Sequence, residues 1–352
     1  MIDVGLVGFG LAGKYFHAPV ISAVPGLRLA AIVQRSGDEA AQKYPEARII
    51  RGVEELLAID SIRLLVIATP NLTHFPLAVQ CLEAGRDVVV DKPFAAALEE
   101  AIHLQRLAKK LGRVLTVYHN RRFDADFQAV RAVVASGELG EIVRFESHYD
   151  RFRPVSKPNA WREKPGAGSG VLFDLAPHLL DHALALFGTP EAISADVRIE
   201  RAGFVTDDAF DLTLHYGSRL RAQLSATMLS AAPRPRFVLL GTKGSFVKQS
   251  FDPLENSLRN GEVPQGESWV VEKGENWGEL TLMENGVPRT KKVPSRGDWR
   301  EFYANVRDTL LGKAQLLVAP EQALEVMKGL DLAVESSKKK CAVAWGRKAK
   351  DA

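Results

Sequence analysis

Three glycines close to the start of the chain have the spacing of a dinucleotide-binding turn. They form the pattern G-x-G-x-x-G, which follows an apolar stretch over residues 2–7 and leads into a helical pattern. In this arrangement the first glycine permits a tight turn, the second lets backbone amides approach a pyrophosphate, and the third lets the helix pack close to the strand. We therefore predict cofactor contacts at this turn from Gly8, Phe9, Gly10, Ala12 and Gly13.

The residues after the second predicted strand bear on which cofactor binds. That strand, residues 27–33, ends in Gln34-Arg35-Ser36, at the position where an acid would bind a free ribose 2′-hydroxyl. Instead, Arg35 can pair with a 2′-phosphate or stack on the adenine, and Ser36 can donate a hydrogen bond. We predict that NADP(H) is preferred and that NAD(H) can also bind. The alternative interpretation is that Arg35 is an ordinary solvated loop residue.

Two further strand ends carry residues that could contact a cofactor. Residues 69–74 follow an apolar strand, although turn formation and helix capping by Asn71 or Thr73 would explain them without a ligand. The next strand is followed by Asp91-Lys92-Pro93, which places a lysine beside the expected nicotinamide; a surface salt bridge is the alternative for this lysine. The predicted cofactor contacts from these loops are Thr69, Pro70, Asn71, His74, Lys92 and Pro93.

An aspartate and a histidine in the second half of the chain have the spacing of a general-base pair. Asp174 and His178 are four residues apart in a helical pattern and therefore lie on one face. The carboxylate can fix the tautomer of the imidazole and raise its basicity, although a helix-surface ion pair explains the spacing equally well. Together with His182 the two could also be metal ligands, but successive turns swing the three side chains apart, so we expect no metal.

Hydrophobic periodicity indicates the elements that position the first group of residues. Short apolar strands alternate with amphipathic stretches, such as residues 72–84 and 98–111, through the first third of the chain. This alternation predicts an α/β domain over residues 1–119, a Rossmann doubly wound parallel sheet whose ligand lies at the carboxyl ends of the strands. Its further predicted strands are residues 64–68, 87–90 and 114–118.

The pattern changes at about residue 120, where strands with one polar face begin. We predict that residues 120–352 form an α+β domain for substrate binding and oligomerisation, with a large, mostly antiparallel open sheet. Its predicted strands are residues 145–149, 193–200, 209–215, 219–227 and 237–241, and its predicted helices are residues 172–183, 299–311 and 320–339.

Composition narrows the class of protein. With 352 residues, of which 46% are hydrophobic, the chain is long enough for two domains. A net charge of +3 without a long basic run argues against nucleic acid as a partner. The two cysteines, Cys81 and Cys341, fit a reducing compartment. Because a core strand pattern starts at residue 2 and no apolar run of about twenty residues follows, we expect a cytoplasmic protein without a membrane partner.

Several motifs occur together along nearly the whole chain, and together they are specific. They are Gly8-Phe9-Gly10, Phe16-His17-Ala18-Pro19, Thr69-Pro70-Asn71-Leu72-Thr73-His74, Asp91-Lys92-Pro93, His119-Asn120-Arg121-Arg122-Phe123, Trp161-Arg162-Glu163 and Asp174-Leu175-Ala176-Pro177-His178. In this combination the chain resembles the glucose-fructose oxidoreductase, inositol dehydrogenase and rhizopine-catabolism (Gfo/Idh/MocA) oxidoreductases. Within that family it is most similar to the NADP-dependent scyllo-inositol 2-dehydrogenase branch.

The resemblance implies a role for each member of the predicted catalytic set. It implies that Lys92 holds the reacting hydroxyl and assists its deprotonation, that His178 is the general acid/base, and that Asp174 orients it. The family usually has glutamate where this chain has Asp91, a difference that bears on rate or specificity. In the family the lysine-proline bond is often cis, which would direct Lys92 into the cleft.

The resemblance also implies a polyhydroxylated substrate and a homodimer or homotetramer. Taken singly, each of these residues can have a purely structural role, but together they offer donors, acceptors and a stacking surface for a sugar or cyclitol: Asn120, Arg122, Trp161, Arg162 and Asp181. We therefore predict an NAD(P)-dependent dehydrogenase that acts on a secondary alcohol, with an inositol and its inosose as first choice and a pyranose as second. The rival interpretations are a reductase of another carbonyl, such as an aromatic or linear-tetrapyrrole ligand, and a non-catalytic NADP-sensing regulator.

Overall fold

The chain folds into two compact units, each assembled from separate stretches of sequence. The computed structural model describes residues 1–155, 163–166, 168–267, 269 and 271–346. The first unit contains residues 1–123, 253–270 and 298–324, and the second contains residues 124–252, 271–297 and 325–352. The division at residue 119 stays a prediction about independent domains, and the compact first unit also takes in two later stretches.

The first unit is built on the predicted parallel sheet. All of its strands pair in parallel, in the order β3-β2-β1-β4-β5-β6. This is the strand order of a Rossmann fold, and it brings the strand ends named above to one edge of the sheet. The strands are β1 (Ile2–Val7), β2 (Leu27–Val33), β3 (Arg48–Ile50), β4 (Ile62–Ile67), β5 (Asp87–Val90) and β6 (Leu115–Val117).

The helices begin after a π-helical turn at Gly13–His17 that follows the glycine motif. In chain order they are α1 (Ala18–Ser22), α2 (Glu39–Lys43), α3 (Val53–Leu57), α4 (His74–Glu83), α5 (Leu98–Leu111), α6 (Ala125–Ser136), α7 (Gly170–Phe187), α8 (Leu254–Arg259), α9 (Arg300–Leu310) and α10 (Pro320–Lys339).

The core of the first unit draws on residues far apart in the sequence. Strand residues such as Val4 and Leu64 are completely buried and belong to one apolar cluster. The same cluster contains Trp299, Phe302 and Tyr303 from the start of α9, each at most 2% exposed. Because burial of large apolar surface is the main stabilising term, α9 is an integral part of this unit.

The second unit contains the predicted, mostly antiparallel sheet. Nine strands pair in the order β14-β13-β12-β11-β7-β10-β9-β8-β15, and β7 with β10 is the one parallel pair among those described. The strands are β7 (Ile142–His148), β8 (Ala192–Arg198), β9 (Ala209–Tyr216), β10 (Leu220–Thr227), β11 (Phe237–Gly241), β12 (Gly244–Lys248), β13 (Gly278–Glu284), β14 (Val287–Val293) and β15 (Val343–Ala344).

Helix α7 packs on this sheet and carries the predicted catalytic pair. It contacts β7, β9 and β10, and its buried side includes Leu172, Leu175 and Leu179. By length and composition alone α7 could cross a membrane, but 61% of it is buried, as in the core helix of a globular domain. Pro177 lies inside the helix without ending it.

Candidate active site

The glycine turn has the backbone geometry that a bound pyrophosphate requires. Gly8 has a φ of +102°, and a Cβ added there would lie 2.7 Å from the carbonyl oxygen of Ala68. A Cβ on Gly13 would overlap the carbonyl oxygen of Gly8, so only glycine allows the helical turn to pack this closely. A Cβ on Gly10 would meet nothing within 4 Å, which leaves open space on the side where a phosphate approaches. The turn therefore fits a dinucleotide.

The loop after β2 is organised by an arginine that the sequence analysis did not single out. The Arg51 guanidinium donates hydrogen bonds to the carbonyl oxygens of Gln34 and Gly37, at 2.9 and 2.8 Å. Between these carbonyls lie Arg35 and Ser36, both exposed at the edge of the sheet. Arg51 follows β3, a three-residue strand without a clear sequence signal, so its approach to the β2 loop could not be anticipated.

The loop after β4 is fixed by side chains, and helix capping by Thr73, one alternative explanation of this loop, is wrong. Thr73 is the residue before α4, yet its side chain makes no capping bond to the helix. Its hydroxyl oxygen instead lies 2.7 Å from both the Thr69 hydroxyl and the Pro70 carbonyl oxygen. Asn71 is buried at the start of a 3₁₀ turn that precedes α4. The Thr73 hydroxyl is thus bound within the loop, although Thr73 stands directly before the helix.

His74 joins the loop after β4 to the loop after β5. Its ring is completely buried, with Nδ1 2.8 Å from the carbonyl oxygen of Pro93 and Nε2 2.9 Å from that of Thr69. Burial lowers the pKa of His74, an effect that the charge of Asp91 partly offsets. The contacts of His74 in the structure are with backbone groups of two predicted cofactor loops. Its predicted contact with the cofactor itself stays a prediction.

The loop after β5 holds Lys92 at the carboxyl edge of the parallel sheet. The Lys92–Pro93 peptide bond is cis, in agreement with the expectation from the family. Asp91 is anchored by a hydrogen bond from its N–H to the carbonyl oxygen of Ile67, at 2.9 Å. Its Oδ1 accepts the backbone N–H of Lys92 at 2.8 Å. The carboxylate thus fixes the backbone of the lysine that follows it.

A buried imidazole lies behind this loop. His17 is 0% exposed, its Nδ1 lies 2.5 Å from the Tyr303 hydroxyl oxygen, and its ring packs against Tyr118 with a centroid separation of 4.3 Å. Its Nε2 lies 3.8 Å from Oδ1 of Asp91. His17 appeared in the sequence only as part of a motif, and the 286 residues between it and Tyr303 leave no local signal for their pairing.

In the second unit α7 presents Asp174 and His178 one helical turn apart, as predicted. His178 is 6% exposed, and the neighbouring Asp181 and His182 are more deeply buried. The ring of His182 stacks on Phe127 with a centroid separation of 4.0 Å, so it belongs to the apolar core. Among the described residues no group of three or more His, Cys, Asp or Glu side chains is arranged to hold a metal ion.

The start of α7 is fixed by an acid outside the predicted set. The Asp207 carboxylate accepts the backbone N–H of Leu172 at 2.6 Å, and the Asp207 carbonyl accepts that of Val171. These bonds satisfy N–H groups of the first turn, which have no partner within the helix. Burial raises the pKa of Asp207, with the backbone N–H groups opposing it. Asp207 therefore fixes the helix that carries the predicted catalytic pair.

The predicted substrate residues fall into three groups. Asn120 and Arg122 are buried in a 3₁₀ turn of the first unit, where Arg122 donates to the Leu317 carbonyl at 2.9 Å and to Gln322 at 3.0 Å. These bonds give Arg122 a structural role, and its contact with substrate stays a prediction. Asp181 is buried in α7. Trp161 and Arg162 lie outside the described residues.

Comparison with known proteins yields family matches over both units. Residues 2–119 match the model of the oxidoreductase family with an NAD-binding Rossmann fold. Residues 127–247 match the model of the GFO/IDH/MocA C-terminal domain. The two matches together span more than half of the chain.

Relatives and solved structures align along nearly the full length. An uncharacterised oxidoreductase of Escherichia coli, YdgJ, is 44% identical over 96% of both chains. The scyllo-inositol 2-dehydrogenase (NADP(+)) IolW of Bacillus subtilis is 35% identical over 96% of this chain and 94% of its own. The crystal structure of an oxidoreductase from Bacillus cereus superposes with a TM-score of 0.91 at 31% identity and covers 100% of both chains.

Proposed function

The chain belongs to the Gfo/Idh/MocA family of NAD(P)-binding oxidoreductases, and from this premise we propose that it is an NADP(H)-dependent dehydrogenase of a cyclic polyol. The reaction interconverts a secondary alcohol and its ketone, with scyllo-inositol and its inosose as first choice and a pyranose as second. The observation that carries the proposal is Lys92, held directly after β5 at the same sheet edge as the glycine turn.

The chemistry assigns a separate task to each residue of the set. Oxidation of an alcohol requires a base at the hydroxyl oxygen and a cation that stabilises the developing alkoxide. When bound, the nicotinamide supplies the hydride acceptor. Lys92 is the cation that holds the substrate oxygen, and His178 takes the hydroxyl proton. Asp174 keeps the imidazole oriented and basic.

The preference for NADP(H) follows from the loop after β2. Arg35 and Ser36 present a cation and a hydroxyl where a carboxylate would select NAD(H). Arg51 supports the proposal because it holds the two ends of this loop through the carbonyls of Gln34 and Gly37. The NADP(+)-dependent relative from Bacillus subtilis favours the same cofactor.

A substrate screen with the purified chain tests the proposal directly. Inositols, inososes, aldoses, simple alcohols and hydrophobic ketones are each supplied with NADP(H) and with NAD(H), and the absorbance of the reduced nicotinamide is followed. We expect scyllo-inositol and its inosose to exceed simple alcohols in kcat/KM by roughly three orders of magnitude or more, since a polar site rejects ligands that cannot pair with it.

The chain with Lys92→Ala provides the control in the same assay. A decrease of roughly a hundredfold or more on this change attributes the activity to this chain and not to a contaminant. A panel without any polyol or sugar turnover, alongside turnover of a hydrophobic ketone or a linear tetrapyrrole, would show that the polyol assignment is wrong. Absence of turnover with every compound, combined with tight NADPH binding, would favour the sensing regulator.

A further inference from the structure

The first unit contains a buried series of polar groups that the proposed reaction does not use. It begins at the Tyr303 hydroxyl, 2.5 Å from Nδ1 of His17. It continues from Nε2 of His17 to Oδ1 of Asp91, over 3.8 Å, and ends at the backbone N–H of Lys92, 2.8 Å from the same oxygen. His17 and Tyr303 are both 0% exposed. The series connects the interior of the unit to the proposed catalytic lysine.

Proton positions in the series follow from the chemistry of its members. Burial raises the pKa of Tyr303 well above its ordinary value, so the phenol keeps its proton. The Tyr303 hydroxyl can donate or accept, but the Asp91 carboxylate near Nε2 can only accept, which favours a neutral His17 with its hydrogen on Nε2 and a bond from Tyr303 to Nδ1; a protonated His17 carries hydrogens on both nitrogens. In either state an N–H of His17 faces Asp91. The Tyr303 hydroxyl therefore determines which edge of the imidazole meets the carboxylate.

Asp91 carries a negative charge in this environment. Burial alone would raise the pKa of Asp91, but the neighbouring His17, Lys92 and His74 side chains outweigh burial and hold it below the ordinary value of 3.8. The separation of 3.8 Å from His17 Nε2 is longer than a hydrogen bond, so the interaction across it is electrostatic. Nε2 of His17 has no hydrogen-bond partner among the residues that the structure describes, so nothing competes with Asp91 for this N–H.

We propose that His17 and Asp91 form a positioning pair for Lys92, with Tyr303 fixing the orientation of His17. The Asp91 carboxylate holds the Lys92 backbone and keeps a negative charge next to the lysine, and His17 holds the carboxylate in place. The pair acts through Lys92 and contacts neither substrate nor cofactor. This inference rests on the catalytic role of Lys92 proposed above.

Two hydroxyl deletions in the same aromatic cluster supply a matched comparison. Tyr303→Phe removes the hydroxyl that contacts His17 Nδ1. Tyr118→Phe removes a buried hydroxyl that donates to the Phe16 carbonyl at 3.0 Å, while the ring that packs on His17 stays. The two changes delete the same atom from neighbouring rings, whose centroids are 5.4 Å apart. A loss of packing affects both, whereas a loss of His17 orientation affects only the first.

The experiment measures kcat/KM against pH for the wild type, Asp91→Asn, Asp91→Glu, His17→Gln and the two tyrosine variants. We expect Asp91→Asn and His17→Gln to lower kcat/KM by roughly tenfold to a hundredfold, because a small misplacement of a catalytic group is costly. The pH profile of Asp91→Asn should differ from that of the wild type, because the change removes a negative charge next to Lys92. Asp91→Glu should restore much of the loss and Tyr118→Phe should retain the wild-type profile.

Two readouts separate this inference from general damage. The dissociation constant of NADPH should change less than about threefold in every variant, because the pair does not contact the cofactor. Nitrogen-15 chemical shifts of the His17 ring should change in Tyr303→Phe and stay constant in Tyr118→Phe, which requires no turnover. If His17→Gln does not fold, the variants Asp91→Asn and Tyr303→Phe are sufficient to test the proposed pair.

The outcomes distinguish failure of the pair from failure of the proposed reaction. An active wild type that loses turnover on Lys92→Ala, yet keeps its rate and pH profile on Asp91→Asn and Tyr303→Phe, would overturn the pair and leave the reaction standing. Equal losses in Tyr118→Phe and Tyr303→Phe would also overturn it. A wild type inactive on every polyol and sugar would refute the proposed reaction itself.

Discussion

At the scale of single residues, the proposed preference for NADP(H) rests on one exposed side chain, Arg35. Arg35→Ala should weaken NADP(H) binding by about 1.5 to 3 kcal/mol, the value of a hydrogen-bonded charge pair, and leave NAD(H) binding nearly unchanged. Paired dissociation constants for both cofactors measure the effect. Arg48→Ala is the matched control, since Arg48 is also exposed and lies in β3, next to the loop. Equal or tighter binding of NAD(H) to the wild type would contradict the preference.

The proposed catalytic residues should affect turnover far more than cofactor binding. Lys92→Ala and His178→Ala should each lower kcat by roughly a hundredfold or more, the usual cost of losing a general acid/base or a charge at the reacting oxygen. A pH–rate profile of the wild type beside both variants measures this. Near-normal turnover of His178→Gln at neutral pH would exclude this histidine as the base. Inactivation by a metal chelator would instead favour a site at Asp174, His178 and His182.

At the scale of elements, two glycines of the same turn should have different roles, Gly13 in folding and Gly10 in cofactor binding. A Cβ at position 13 collides with backbone of the same turn, whereas a Cβ at position 10 meets open space. Gly13→Ala should therefore destabilise the protein by about 1 to 3 kcal/mol, as overpacking does. Gly10→Ala should leave the melting temperature nearly unchanged and weaken NADPH binding. Thermal unfolding and NADPH titration of both variants test this, and wild-type affinity in Gly10→Ala would contradict a pyrophosphate at this position.

The sequence predicts the bounds of a helix or strand well when its buried side chains follow a regular pattern. The bounds of β2, β5, α5 and α10 were predicted to the residue, because each combines a clear period with turn or cap residues. β14 was missed, since nearly all of its side chains are exposed and show no alternation. Thr73 was one of two residues that could cap α4, but its hydroxyl contacts Thr69 and Pro70 instead.

The candidate site follows the same rule. Local motifs predict roles for the glycine turn, for Lys92 and for the pair Asp174 and His178, because each prediction depends on only a few neighbouring residues. Contacts between residues far apart in the sequence could not be predicted from the sequence alone. The contacts of Arg51 and of Tyr303 are examples. The supporting groups of a site are thus harder to predict than its reactive groups.

At the scale of the whole molecule, stability in acid depends on an ion pair of the second unit, in which the Asp150 carboxylate is buried and the Arg234 side chain is largely exposed. The Asp150 carboxylate is 1% exposed and accepts two hydrogen bonds of 2.8 Å from Arg234. Burial would raise the pKa of Asp150, but Arg234 lowers it below the ordinary value of 3.8. Because the folded-state pKa is depressed, the pair stabilises the fold above the unfolded-state pKa, and this contribution is lost as the pH falls through the folded-state value.

Asp150→Asn should therefore destabilise the protein by about 1 to 2 kcal/mol near neutral pH, an effect that shrinks as the solution is acidified below the ordinary carboxyl pKa of 3.8. Thermal unfolding at both pH values measures it. Asp211→Asn is the control: Asp211 pairs with Arg198 at 2.7 Å, but both side chains are well exposed, so little change is expected. A loss in Asp150→Asn that is independent of pH would show that the ion pair is not its cause.

The composition of the two units also predicts whether a fragment that ends at residue 119 can fold by itself. The sequence places a domain boundary at residue 119, and the family match ends there, yet the core of the first unit includes Trp299, Phe302 and Tyr303. A fragment of residues 1–119 lacks these aromatic side chains, each of which contributes several kcal/mol when buried, on the order of 3 to 5 by truncation. We expect the isolated fragment to bind a hydrophobic dye and to unfold without a cooperative transition. Trp299→Ala in the full chain should lower the melting temperature of the first unit. A fragment that unfolds cooperatively and binds NADPH would contradict this expectation and establish residues 1–119 as an independent domain.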